Sequence, residues 1–348
     1  MKPTLKIGTR ESELAVWQAT LVQKLLHEQG FSSELIFIKS EGDINTVTPL
    51  YQLGVQGIFT KTLDTALLNK KIDIAVHSMK DVPTQLAKGI KQVAVLKRGS
   101  YKDIFVPHPD LKDVNSIFGM GLIETGNVTV SSDGPDIVVA PYTTINTGPQ
   151  VDATIATSSI RRIAQWRRRY PNHKIENLRG NVNTRLQKLK ESNWHGAIFA
   201  AAGLERINLR PENAIELNWM LPAPAQGAII IVCREDDEFA FRSCHSLNHE
   251  ETALCTKIER DFLSGLMGGC STPISALAQI KNGEVVFEGE IIDPDSPQLG
   301  TVGINGGSPI EQASDMGLKF AEKLLSNISM KDIIERIRNK GLTTDGKV

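Results

Sequence analysis

Short apolar runs alternate along this chain with stretches of helical periodicity, and that alternation constrains its fold more than any other feature. Leu5–Thr9 has a strand pattern. Ser12 stands where a helix cap is expected, before an apolar face of Leu14, Trp17, Leu21 and Leu25 that stops at Gly30. Glu34–Ile38 is a second strand and Phe59–Leu68 a second helix. Ile72–His77 and Ala228–Cys233 are almost unbroken apolar runs, as a strand covered on both faces requires. Further along, strands at Ala153–Ala156, Lys174–Asn177 and Ala197–Ala200 alternate with helices at Ser158–Arg169 and Asn181–Lys190. The rhythm predicts doubly wound α/β organisation.

From Glu250 the pattern changes to a helix reaching about Leu263, then strands at Ile274–Ile280, Val285–Ile291 and Leu299–Ile304, then helices from Pro309. That is a small α+β domain. Pro107–Gln150 breaks the rhythm: it is rich in Gly, Ser, Thr, Pro and Asn, with Lys112 its only lysine and no arginine. It reads as an insertion with one short hairpin around Val128–Val139, placed either over a cleft or on the second domain.

The chain has 348 residues, enough for two or three domains. No apolar run is long enough to span a bilayer, so no membrane partner is expected. Met-Lys-Pro-Thr-Leu-Lys-Ile enters a strand pattern without a signal-peptide core, so the expected location is cytoplasmic. Cys233, Cys244, Cys255 and Cys270 form no Cys-x-x-Cys pair, so neither a zinc site nor any other metal is expected.

Charge is focused rather than global. The net charge is -1, yet Thr157–Arg185 holds seven of the sixteen arginines and one acid, Glu176. Guanidinium groups bind carboxylate or phosphate in a bidentate fork, so this field suits a small, multiply charged anion. Thr157-Ser158-Ser159-Ile160-Arg161-Arg162 puts hydroxyls and paired arginines at a helix start, where free N–H groups already favour anions. Cations there oppose the helix dipole and need a compensating anion. Arg167, Arg168 and Arg169, at the other end, suit the dipole and read as a solvated face. Arg179 and Arg185 flank a second strand–loop–helix junction at Leu178–Arg185. In such sheets ligands sit at the carboxyl ends of strands, so both groups are expected at one cleft. His77-Ser78-Met79-Lys80-Asp81 delivers an acid beside a base to another strand end, a candidate pair for proton transfer. His77 and Met79 are expected to pack. Gly268-Gly269-Cys270 presents a cysteine on a permissive loop, a candidate nucleophile or attachment point. Gly57-Ile-Phe-Thr-Lys61-Thr62 is a poor phosphate loop, because no glycine directly precedes the lysine.

These constellations, in this order, resemble the hydroxymethylbilane synthase family, the porphobilinogen deaminases. The matching strings are Gly8–Ala15, Asp73–Pro83, Ala156–Arg162, Leu178–Arg185, Leu247–Ala253 and Gly268–Ile274. The resemblance implies a transferase of tetrapyrrole (haem, porphyrin) biosynthesis that joins four porphobilinogen molecules head to tail, with loss of ammonia, into hydroxymethylbilane. It implies a dipyrromethane cofactor attached to Cys270 through a thioether, with Asp81 as catalytic acid and base. Arg10, Ser12, Lys80, Thr157, Ser158, Arg161, Arg162, Arg179 and Arg185 would bind carboxylates, and Phe59 would pack near the cofactor. Two lobes like those of periplasmic binding proteins would face a cleft: residues 1–100 with 228–247, and residues 101–227. Residues 250–348 would form the third domain. The resemblance favours a monomer and leaves transient contact with a uroporphyrinogen-III synthase open.

The chain departs from the family at Gln52 and Gln56, where relatives carry lysines. It departs again at Pro222-Ala-Pro-Ala-Gln-Gly-Ala, where relatives have Pro-Ala-Val-Gly-Gln-Gly-Ala. Losing that glycine is expected to alter a crossover between domains. A plain two-lobed anion-binding protein would explain the arginines but not Asp81 or the Gly-Gly-Cys loop. A nucleic-acid binder would need aromatic stacking or a broad basic face, and aromatics are only 5%. No nucleic-acid partner is expected.

Overall fold

The computed structural model describes residues 3–39, 60–118, 152–266, 272–293, 295–297 and 300–326, with 331, 335 and the backbone of four strands between 122 and 146. The first sheet has the order Ser33–Phe37, Leu5–Thr9, Ile74–Ser78, Ile229–Arg234, Ile90–Val95. Alternate side chains feed two cores. Leu5, Ile7, Ile74, Val76, Ile229 and Ile231 pack with Ala19, Val22 and Leu26 of the helix Glu13–Glu28. Ala75, Ile230 and Val232 pack with Leu63 and Leu67 of the helix Lys61–Leu68 on the other face. A strand buried on both faces needs a near-continuous apolar run, and Ile74–Val76 and Ile229–Cys233 supply it, with polar residues only at the strand ends.

The second sheet has the order Lys174–Glu176, Thr154–Ala156, Gly196–Ala200, Asp103–Pro107, Ile215–Glu216. It too is covered on both faces, by a cluster around Ala197 and Phe199 and by another around Phe105, Ile198 and Trp166. Neither sheet is purely parallel. Ile229–Arg234 runs antiparallel to Ile74–Ser78, and Asp103–Pro107 antiparallel to Gly196–Ala200. In each case the strand enters its sheet from a crossover between the lobes. A strand arriving from that edge can only run back against its neighbours. The crossovers therefore meet the sheets at the carboxyl ends of the parallel strands, where ligands are expected.

The crossovers lie side by side: the Gly99 amide donates to the Gly227 carbonyl at 3.0 Å. Gly227 has φ +86°, and a Cβ there would lie 2.5 Å from the Ser100 carbonyl oxygen, so only glycine fits. Ala225, standing where relatives have glycine, also has a positive φ of 61°. An L-residue there costs about 1–2 kcal/mol. Arg98 and Glu259 hold the crossing. The guanidinium donates to both Glu259 oxygens at 2.6 and 3.1 Å, and its Nε donates to the Gln226 carbonyl at 2.8 Å. Glu259 also accepts from the Ala225 and Ala278 amides at 2.6 and 2.8 Å, which satisfies a fully buried carboxylate.

The C-terminal domain packs the helices Glu250–Gly265 and Met316–Leu325 on the strands Ile274–Lys281, Glu284–Ile292 and Thr301–Pro309. The start of the insertion stays on the second lobe, where Ile117 packs with Phe105 and Trp166 and Phe118 lies edge-on to Phe105, while its ribbon joins another sheet. Leu122–Thr125 pairs with Thr143–Asn146, and Val128–Val130 pairs with Asp136–Val139, with register offset by one residue between the two halves. Asp136–Val139 then pairs antiparallel with Val302–Asn305, so the C-terminal sheet becomes five-stranded. An edge strand with unmet backbone groups is a ready template for such a ribbon. Replacing residues 120–148 by a short Gly/Ser linker is expected to speed hydrogen exchange of the Val302–Asn305 amides that face the ribbon. Exchange there as slow as in the intact chain would show that the pairing contributes nothing in solution.

Candidate functional site

Two parallel strands of the second sheet end side by side at Ala156 and Glu176. The Thr157 amide donates to the Glu176 carbonyl at 2.8 Å, the Ser158 hydroxyl donates to the Asn177 side-chain oxygen, and that hydroxyl accepts from the Leu178 amide at 2.8 Å. The Ser158 hydroxyl ties the two strand ends together instead of capping the helix, the Thr157 hydroxyl accepts from the Ser159 amide at 3.3 Å, and the N-cap Ser159 makes no side-chain capping bond. Ser12, at the N-cap of the helix Glu13–Glu28, likewise makes none. Asn181 does cap its helix, accepting from the Thr184 amide at 2.9 Å.

Arg161 and Arg162 are buried at 4% and 5% exposure, and their compensating anion comes from the chain itself. Asp103 opens its antiparallel strand opposite Ala200, which puts its fully buried carboxylate at the carboxyl edge of the sheet. One Asp103 oxygen accepts from Arg161 Nη2 at 2.7 Å, and the other from Arg162 Nε and Nη2 at 3.0 and 2.7 Å. Arg161 and Arg162 also donate to the Leu221 and Ile198 carbonyls. Burial pushes the Asp103 carboxyl up, but the two guanidinium groups outweigh it and hold its pKa at about 2. Asp103 is not among the residues that the sequence singles out. Its one signal was an acid opening the apolar run Asp-Ile-Phe-Val-Pro.

On the first sheet, Ile74–Ser78 runs into a tight 3₁₀ turn, Met79–Asp81, that presents Lys80 and Asp81. The turn is anchored to the returning crossover, with the Met79 amide donating to the Ala228 carbonyl at 3.0 Å. His77 and Met79 are buried, and burial with the nearby Arg10 charge drives the His77 imidazole down to about 3, so it stays neutral. Lys80 donates to the Gln226 side-chain oxygen at 3.1 Å. Burial lowers its pKa to about 8, against the attraction of Asp81 and Asp103 and with the repulsion of Arg162 and Arg161.

Arg185 Nε donates to the Gly180 carbonyl at 2.7 Å, in a loop where Gly180 has φ +113°. Burial lowers the Arg185 pKa to about 10, with Arg162 and Arg179 pushing the same way and Asp81 opposing. Arg179 is buried and shifted down by burial as well. Lys80, Asp81, Arg161, Arg162, Arg179 and Arg185 thus feel one another across the two lobes. Five cations here face two carboxylates, Asp81 and Asp103, a surplus of three positive charges. A ligand carrying several carboxylates fits that surplus. Arg10 and Ser12 lie half-buried at the start of the first helix. The neighbouring Glu13 accepts from Asn183 across the cleft at 2.7 Å. Arg168 is more than a solvated cation, since it binds Glu290 of the C-terminal domain at 2.8 Å. Phe59, Gln52, Gln56 and Cys270 lie outside the described residues.

A two-lobed α/β protein with an arginine-rich site and an acid–base pair at its strand ends is the class that fold and site define. The chain belongs to the porphobilinogen deaminase family: the "Porphobilinogen deaminase, dipyromethane cofactor binding domain" matches residues 5–121 and 108–242, and the "Porphobilinogen deaminase, C-terminal domain" matches residues 253–326. The family's enzymes are transferases of tetrapyrrole biosynthesis that carry a dipyrromethane cofactor. Among solved structures, the chain is similar to the methionine binding protein MetQ, at 14% identity and a TM-score of 0.40, over 70% of this chain and 89% of that one. It is also similar to the periplasmic VFT2 domain of Bordetella pertussis BvgS, at 13% identity and a TM-score of 0.36, over 72% and 91%. Both likenesses are loose. Among the described residues no helix is long and apolar enough to cross a membrane.

Proposed function

We propose that the protein condenses four porphobilinogen molecules, one at a time and head to tail, onto a dipyrromethane primer held by Cys270, and releases hydroxymethylbilane by hydrolysis. The observation that carries this reading is the electrostatic convergence of Lys80, Asp81, Arg161, Arg162, Arg179 and Arg185, which matches the charge of a growing polycarboxylate. The primer, when bound, supplies the pyrrole carbon to which each new unit joins. This chain's residues do the rest. Asp81 gives a proton to the departing amine, offsets the positive charge left on the substrate ring, and takes up the proton lost once the carbon–carbon bond forms. Arg10, Ser12, Lys80, Thr157, Ser158, Arg179 and Arg185, with the Asp103-braced pair Arg161 and Arg162, hold the acetate and propionate groups. Phe59 packs near the primer. Residues 1–100 with 228–247, residues 101–227 and residues 250–348 act as the three domains of this cycle, in a chain that works in the cytoplasm as a monomer.

Mass spectrometry of the denatured protein tests the reading. The wild-type chain should exceed its polypeptide mass by two linked pyrrole units, and Cys270→Ser should not. A wild-type chain that stays at its bare mass after incubation with porphobilinogen would overturn it.

A further inference from the structure

We propose that Gln226 is a positioning residue that keeps Lys80 and Asp103 apart, so that the ammonium stays beside Asp81 while the carboxylate stays on Arg161 and Arg162. The inference rests on the functional reading above only for what those cations hold. Its physical basis is separate. Lys80 and Asp103 lie in each other's field and attract. A direct ion pair between them would draw the lysine off Asp81 and loosen the brace on two buried arginines. Gln226 is fully buried between them. Its side-chain oxygen accepts from Lys80 at 3.1 Å, and its amide donates to Asp103 at 3.0 Å and to the Tyr101 carbonyl at 2.8 Å. Only one orientation works, because an ammonium only donates and a carboxylate only accepts. A neutral group that satisfies both charges without joining them acts as an insulator.

The insulator cannot drift. The Gln226 carbonyl accepts from Arg98 Nε at 2.8 Å, its amide donates to the Ala223 carbonyl at 2.9 Å, and the next residue is the close-packed Gly227. The charges facing Lys80 come from three directions: Asp81 on its own turn, Arg161 and Arg162 from the helix Ile160–Arg169, and Asp103 from the edge of the second sheet. Gln226 is the neutral member of that ring.

The test reads Lys80 directly. The pH dependence of its acylation by acetic anhydride, followed by peptide mass spectrometry without porphobilinogen, gives its titration midpoint. In the wild-type chain the midpoint should fall near 8; a value at or above the ordinary 10.5 overturns the proposal even if no variant folds. Gln226→Met keeps the volume but lets Lys80 reach Asp103, so the midpoint should rise by one unit or more. Gln226→Glu should raise it too, by pairing with Lys80. Adding Asp103→Asn to Gln226→Met should return it toward the wild-type value, a rescue that a purely structural role would not give. An unchanged midpoint in both single variants sinks the proposal. In a protein that turns over porphobilinogen, both should raise KM at least tenfold, with a smaller change in kcat. Shifted midpoints without any turnover would leave the insulator standing and overturn the enzymatic reading instead.

Discussion

Asp81→Asn is expected to lower porphobilinogen consumption by about 10²–10⁴-fold, the usual span for losing a positioned proton-transfer group. The fold and the covalent mass increment should survive. Asparagine has the shape of aspartate but can neither carry a proton nor offset a positive charge. The turn that presents the residue does not depend on its carboxylate. It is held by the Met79–Ala228 backbone bond and by Arg260, which donates to the Met79 and Val82 carbonyls at 3.3 and 2.8 Å. Rates of ammonia release, measured beside melting temperature and intact mass, separate chemistry from folding. Turnover near the wild-type level in a folded, mass-shifted Asp81→Asn would refute the assignment.

Asp103→Leu is expected to cost about 3–5 kcal/mol of stability, because it strands two buried guanidinium groups without their anion. The guanidinium groups hold the folded-state pKa of Asp103 at about 2, below the ordinary 3.8. A depressed carboxylate pKa contributes stability that is fully present above about pH 4 and is lost as pH falls through about 2. The wild-type chain should therefore lose stability across that window, and Asp103→Leu should lose less of what remains. Replacing Asp103, Arg161 and Arg162 together by apolar residues should recover much of the denaturation midpoint, as removing a whole buried ion cluster generally does. A single variant as stable as wild type would show that the three groups are not the closed brace described above.

Much of the fold was legible because its signals are local. Ile74–Val76 and Ile229–Cys233 are unbroken apolar runs within their strands, and helices stop at residues such as Gly30. The direction of Ile229–Arg234 was not legible, since an apolar run reads alike in parallel and antiparallel pairing. Arg161 and Arg162 could be picked out because two cations at a helix start are electrostatically improbable without an anion. Which anion answers them could not be: Asp103 stands 58 residues from Arg161, and Gln226 stands 146 residues from Lys80. Nothing in a glutamine marks it as the group between two charges. Ala225 is a different case, since its strain became visible only as a positive φ.

The sequence by itself determined the α/β rhythm, the C-terminal change of pattern, the focused arginine charge and the ordered strings of the family, because these depend on residue type and short spacing. The tertiary structure alone decided three things. It chose Asp103 as the partner of the arginine pair, placed Gln226 between Lys80 and that carboxylate, and gave the inserted ribbon the edge of the C-terminal sheet. Each is a long-range pairing of groups with several possible mates. Local propensity cannot rank such mates; which groups are desolvated together, and which backbone edges remain unpaired, is settled only when the sheets and crossovers have packed.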